Sequence, residues 1–233
     1  MLKVEGLHAY YGRAHILAGV TLELAAGEVV VLLGRNGAGK STTMKTIMGL
    51  VRASAGSVEF QGRRIERLPP HRIARLGLGY VPEERRIFTD LTVLENLEVG
   101  RQAPRPGAPT WDFERLGAIF PNLREMPHRP GGRMSGGEQQ MLTIARTLMG
   151  NPSCVLLDEP SEGVAPVIVD QMAEAIRDLK AAGVAILLSE QNLHFAMEVA
   201  DRAYIIEKGA IRFSGSIAEL RANSAVQAQY LAI

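Results

Sequence analysis

A single cysteine, Cys154, in 233 residues rules out any internal disulfide and fits a reducing, cytoplasmic setting. Charge of one sign is equally scarce: 26 Lys+Arg stand against 25 Asp+Glu, for a formal net charge of +1. Nucleic-acid and anionic-membrane binders carry a clear basic excess, so no nucleic-acid partner is expected. Long apolar runs are missing too. The longest uncharged stretches, such as Ala181 to Leu188, fall far short of the ~20 residues of a membrane-spanning helix. Work at a membrane would therefore need a partner chain that crosses it. The five histidines (8, 15, 71, 128 and 194) lack metal-ligand spacing, which speaks against a metal held by protein side chains alone. Met1-Leu2-Lys3-Val4-Glu5 does not resemble an export signal. A hydrophobic fraction of 46% with 22% charged residues excludes a disordered or fibrous chain.

What is present alternates between strand and helix patterns. Leu2 to Leu7 and Val20 to Leu24 alternate apolar and polar residues, as half-buried strands do. Val29-Val30-Val31-Leu32-Leu33 is apolar throughout, and so are Cys154 to Leu157 and Val184 to Leu188. Such runs predict strands covered on both faces, typical of a parallel sheet. A helix is predicted from about Gly39 to Gly49, and Ile168, Met172, Ala175, Ile176 and Leu179 trace another helical stripe. The fold class expected is α/β. Residues 89–150 read differently, with helices over 92–99, 112–120 and 136–149 separated by Pro-rich connectors. The tail returns to a strand pair, 203–207 and 210–214, turning at Lys208-Gly209. One domain spanning 1–233 is expected, its core at about 1–88 and 151–233 and its helical insertion at about 89–150.

The chemistry begins at Gly34-Arg35-Asn36-Gly37-Ala38-Gly39-Lys40-Ser41, followed by Thr42. It fits the phosphate-loop pattern G-x-x-x-x-G-K-[ST], after a buried strand and before a helix. Glycines let backbone N–H groups turn inward around phosphate oxygens, and the helix N-terminus adds roughly half a positive charge. Lys40 would neutralise the β- and γ-phosphates of a nucleotide, and the Ser41 hydroxyl would ligate magnesium. By composition alone the pattern arises about once in a hundred such chains, and the strand–loop–helix context makes chance rarer still. Asp158 and Glu159 close a buried strand, where unpartnered acids are costly. Asp158 would hold magnesium through water, and Glu159 would orient and polarise an attacking water. The plainer alternative is a solvated strand end.

Between these motifs lies Met134-Ser135-Gly136-Gly137-Glu138-Gln139-Gln140. Alone it could be an ordinary capped helix start. In this order, however, the chain resembles the ATP-binding cassette (ABC) ATPases, with an LSGGQ-like signature in which Met134 and Glu138 replace leucine and glutamine. The resemblance implies a RecA-like P-loop core, an antiparallel β subdomain and an inserted α-helical subdomain. It also implies a dimer that sandwiches ATP, with Ser135, Gly136, Gly137 and Glu138 facing the partner cassette's phosphate loop. Tyr11 resembles the aromatic residue that stacks on adenine, or is simply a strand-edge tyrosine. Glu83, in Tyr80-Val81-Pro82-Glu83, stands at the Q-loop position and could accept a magnesium-bound water. Arg85, Arg86 and Phe88 follow, where the family contacts its membrane partners, although paired arginines also suit a solvated face.

Ala165 occupies the D-loop aspartate position and Gln191 the switch-histidine position. A glutamine amide can donate to a γ-phosphate but cannot become cationic, so some transition-state stabilisation should be lost. His194, nearby, reads chiefly as a helix-surface residue. Glu83, the run Ser161 to Pro166 and Glu190-Gln191-Asn192 resemble one branch, the second ATPase subunit of branched-chain amino acid importers, similar to LivF proteins. That implies an ATP-hydrolysing subunit peripheral to the cytoplasmic face of the membrane. Its partners would be a second cassette, two transmembrane permease subunits and, indirectly, an extracytoplasmic solute-binding protein. The alternatives are a urea, amide or other small-solute importer, a nucleotide-binding subunit that hydrolyses little, and a non-transport cassette.

Overall fold

The structure is a computed structural model and describes residues 1–231. In chain order come β1 (Leu2–Tyr11), β2 (Ala14–Leu24), β3 (Val29–Leu33), α1 (Lys40–Ile47), β4 (Ala53–Phe60), β5 (Arg63–Arg64), α2 (Pro70–Arg75) and β6 (Leu78–Val81). A helical stretch follows: α3 (Val93–Gly100), α4 (Phe113–Ile119), α5 (Pro121–Glu125) and α6 (Gly136–Leu148). The chain then resumes alternation through β7 (Cys154–Asp158), α7 (Pro166–Ala181), β8 (Ala185–Glu190), α8 (Leu193–Val199), β9 (Arg202–Glu207), β10 (Ala210–Ser216), α9 (Ile217–Ala222) and α10 (Ser224–Tyr230).

Two sheets organise these elements. The first is antiparallel, in the order β2-β1-β4-β5; the second runs β10-β9-β3-β8-β7-β6 and is parallel except for β10. Side chains alternate across a strand, and this period of two builds two cores from one sheet. Val29, Val31 and Leu33, with Val155, Leu157, Ile186 and Leu188, pack toward α6, α7 and α8. Val30 and Leu32, with Leu156, Ala185 and Leu187, pack toward α1 and the antiparallel sheet. Strands β3, β7 and β8 are buried at every residue, as their apolar runs predict, and the burial extends to the polar ends Asp158, Ser189 and Glu190.

The helix expected over 39–49 runs from Lys40 to Ile47, because Gly39 adopts φ 114° and caps it instead of joining it. Those expected to start at 92 and 112 start one residue later, since Thr92 and Asp112 are N-caps whose side chains accept from the N–H of Glu95 and Arg115. Strand β6 has no counterpart in the sequence reading. Gly77 and Gly79 break its apolar run, and only pairing with β7 (Leu78↔Cys154 to Val81↔Leu157) fixes it as extended.

Leu187, fully buried in central β8, tests this layering. Leu187→Ala should cost about 2–5 kcal/mol. Urea unfolding would show it as a lower midpoint with an unchanged slope; a shift under about 1 kcal/mol would contradict the packing described.

Candidate functional site

The strand ends decide where the chemistry sits, because loops at the carboxyl ends of parallel strands share one rim. The phosphate loop leaves β3 at Gly34, whose backbone lies so close to β9 that a Cβ there would meet the Ile206 carbonyl at 2.5 Å. Gly37 and Gly39 take φ of 78° and 114°, a region that side chains disfavour. Gly39 has no side chain to cap α1. Lys40, 3% exposed, is held inside the loop: its Nζ donates to Gly34 O at 2.6 Å and Arg35 O at 3.1 Å. It also pairs with Glu159 Oε1 at 3.1 Å. Gly37, Gly39, Ser41 and Thr42 line a pocket together with Tyr11 and Lys40. Ala38 is buried, and Arg35 and Asn36 are exposed at the loop's tip. Tyr11 lies on that pocket's edge, half exposed.

On the acidic side, Asp158 is fully buried at the end of β7. Its Oδ1 accepts the Ser189 hydroxyl at 2.6 Å and its Oδ2 the Tyr80 hydroxyl at 3.1 Å. Burial, reinforced by Asp158, pushes the Tyr80 phenol far above its ordinary range, so it stays a donor. Glu159 adopts φ 47°, and its N–H donates to Ser189 O at 3.1 Å and to Ser189 Oγ at 3.2 Å. A non-glycine residue there carries strain of order 1–3 kcal/mol, and such strain clusters at functional sites. The neighbouring Glu159 carboxylate pushes the Glu162 carboxyl up to about 7. Burial and the charges of Glu159 and Asp158 raise Glu83 as well. Glu159 meets Lys40, and Glu83 lies close enough to Asp158 and Glu159 for their charges to be felt. With the Ser41 hydroxyl these carboxylates form a hard-oxygen set that fits magnesium. Among the described residues no group of three His, Cys, Asp or Glu could hold a metal alone. Magnesium suits such a site, because it commonly binds through one or two carboxylates with waters and substrate phosphates.

The signature residues sit elsewhere. Ser135 caps α6, its N–H donating to Glu138 Oε2 at 2.6 Å and its Oγ accepting the Glu138 N–H at 3.4 Å. Gly137 packs so tightly on α7 that a Cβ would meet Ile168 at 2.8 Å, and Gly136 lies against the Arg85 guanidinium. None of Ser135, Gly136, Gly137 or Glu138 lines the phosphate-loop pocket. Ala165 is the exposed N-cap of α7. Gln191 is exposed, and among the described residues its side chain makes no hydrogen bond; its backbone N–H donates to Glu190 Oε2 at 3.2 Å. His194 is the second residue of α8 and exposed.

The sequence reading assigned no role to Ser189, Glu190, Glu162 or the Tyr80 hydroxyl. For Ser189 and Glu190 a signal was present: two polar residues closing a buried strand, as in Asp158-Glu159. Elsewhere, a groove of about 630 Å³ lies where α2, β6, α3 and α6 meet. Its walls include Leu50, Phe88 and Val99, each about half exposed, with Arg75, Arg105 and Arg146 among them. The Arg146 guanidinium stands 5.1 Å over the Phe88 ring.

A buried parallel sheet, a phosphate loop and a carboxylate strand define a P-loop NTPase of the cassette type. The ABC transporter family matches residues 17–162, and the chain belongs to that family as an ATP-hydrolysing, ATP-binding subunit. It is 42% identical over 231 residues to the high-affinity branched-chain amino acid transport ATP-binding protein BraG of Pseudomonas aeruginosa, covering 99% of each. It is 36% identical over 233 residues to the lipopolysaccharide export system ATP-binding protein LptB of Acidithiobacillus ferridurans, covering 99% of this chain and 96% of that one. A solved ATP-binding subunit of an ABC transporter superposes with a TM-score of 0.83 at 29% identity, covering 99% of this chain and 96% of that one. Cassettes of this family work as dimers with transmembrane components.

Gly34→Ala follows directly from the loop's approach to β9. The added methyl should cost about 1–3 kcal/mol through overpacking and weaken nucleotide binding. Thermal unfolding alongside a fluorescent-nucleotide titration would check both; wild-type values in both would refute the close approach.

Proposed function

We propose that this chain energises an importer of branched-chain or other hydrophobic amino acids, peripheral to the cytoplasmic face of the membrane. The observation that carries the ATPase part is the meeting of Lys40, Asp158 and Glu159 at one rim while Ser135 lies off it. A phosphate chain would compete with Glu159 for Lys40, and a displaced Glu159 is free to polarise water. Ser41 and Asp158, with Glu83 nearby, would hold magnesium, which would neutralise charge on the β- and γ-phosphates. Tyr11 would stack on the base, and the N–H groups from Gly37 to Thr42 would cradle the phosphates. The signature would serve a second cassette's nucleotide, which calls for a hetero- or homodimer. Gln191 would offer the γ-phosphate a neutral donor.

One of two permease subunits would dock in the groove beside Phe88, whose exposed apolar walls and arginines suit an amphipathic segment with acidic residues, and the other on the second cassette. An extracytoplasmic binding protein would deliver the solute. The importer reading rests on full-length likeness to BraG. The likeness to LptB supports a second reading, export of lipopolysaccharide.

Lys40→Ala should abolish nucleotide binding, and Glu159→Gln should retain it while slowing hydrolysis ~10²-fold or more. Equal turnover in Glu159→Gln and wild type would sink that role for Glu159. Co-purification of tagged Glu159→Gln with ATP and magnesium from detergent-solubilised native cells should recover two membrane proteins and a second cassette. Recovery of lipopolysaccharide-export membrane proteins instead would move the assignment to export.

A further inference from the structure

Glu190 is the last residue of β8 and is 2% exposed, a depth at which a carboxylate requires partners. Backbone N–H groups from two different turns donate to it, and the Ser161 side chain adds to their hold. Oε1 accepts from Ser161 at 3.1 Å, in the turn that leaves Glu159. Oε2 accepts from Gln191 and Asn192, each at 3.2 Å. Asn192 is fixed on its other side, since its Oδ1 accepts the Phe195 N–H at 3.1 Å and caps α8. Ser189, one residue earlier, holds Asp158 and the Glu159 N–H. Two consecutive residues of the strand between β3 and β7 therefore tie down the acidic rim and the Gln191 turn together.

We propose that Glu190 is a positioning residue for hydrolysis, its single carboxylate fixing the turn after Glu159 against the turn that carries Gln191. This rests on the proposed roles of Glu159 and Gln191. The chemistry demands a carboxylate and not merely a residue of its size. Both oxygens face donors, so a glutamine would aim an NH₂ group at an N–H and release one of the two turns. A hydrogen bond to a charged acceptor is also about twice as strong as a neutral one, which a loop beside a reacting phosphate needs in order to stay in place.

The test is a double-mutant cycle on the wild-type chain, Glu190→Gln, Gln191→Ala and the double variant, with Glu159→Gln as control. Turnover, KM for ATP, ADP affinity and Tm are measured on each. Glu190→Gln should lower kcat about tenfold, while KM and ADP affinity stay within about twofold. In the Gln191→Ala background the same change should cost distinctly less than tenfold, because one of the two groups Glu190 positions is already gone. Fully additive losses, or wild-type kcat in Glu190→Gln, overturn the proposal. If Glu190→Gln fails to fold, Glu190→Asp carries the same cycle, since it keeps the charge but withdraws the acceptors by about 1.5 Å. Undiminished turnover in Glu159→Gln would sink the site assignment and the Glu190 role with it. Additive losses alongside a slowed Glu159→Gln would remove the Glu190 role alone.

Discussion

The contact between Lys40 and Glu159, 3.1 Å across a nearly dry rim, is the constraint around which this molecule is arranged. Lys40 begins the helix after β3, and Glu159 follows the last residue of β7. Those strands are not neighbours; β8 runs between them. Two opposite charges can meet over an intervening strand only if all three end at one level and the chain turns sharply at both sides. Gly39 supplies one turn and the left-handed Glu159 backbone the other. A buried ion pair adds little net stability, because desolvation offsets its attraction. Its meaning is chemical in the function proposed, where a phosphate chain would separate the cation from the carboxylate.

The intervening strand is more than filler. The side chains of Ser189 and Glu190 end it with five hydrogen bonds to neighbouring turns and to Asp158. The acids stay buried because they are bonded, and Asp158 in particular takes one hydroxyl on each oxygen. The signature, by contrast, is stabilised by a capping box within its own helix and by the fit of Gly137 against Ile168 of α7. It is complete as a structure and apart from the phosphate pocket, which is the arrangement a two-cassette machine needs.

Much of the site was legible in the sequence because phosphate chemistry constrains local residue types. Gly34 to Thr42 had to follow a buried strand, and Asp158 and Glu159 had to end one. The apolar runs of β3, β7 and β8 were legible for the same reason, being covered on both faces. Strand β6 was hidden, because Gly77 just before it and Gly79 within it obscure a strand that exists only through pairing with β7. The Tyr80 hydroxyl was hidden as well: nothing local to Tyr80 signals that a strand end 78 residues on will present a carboxylate to it.

The sequence by itself determined the class of chemistry, since loop spacing, the two acids and the signature are local patterns with local physical reasons. It also determined the layered architecture, through the period of its apolar residues. Only the tertiary structure decided which groups act on one another. The Lys40–Glu159 pair, the bonds of Asp158 to Tyr80 and Ser189, and the double grip of Glu190 all join residues from different strand ends. Their energies depend on burial and on distances of about 3 Å, which strand register sets and no local pattern encodes.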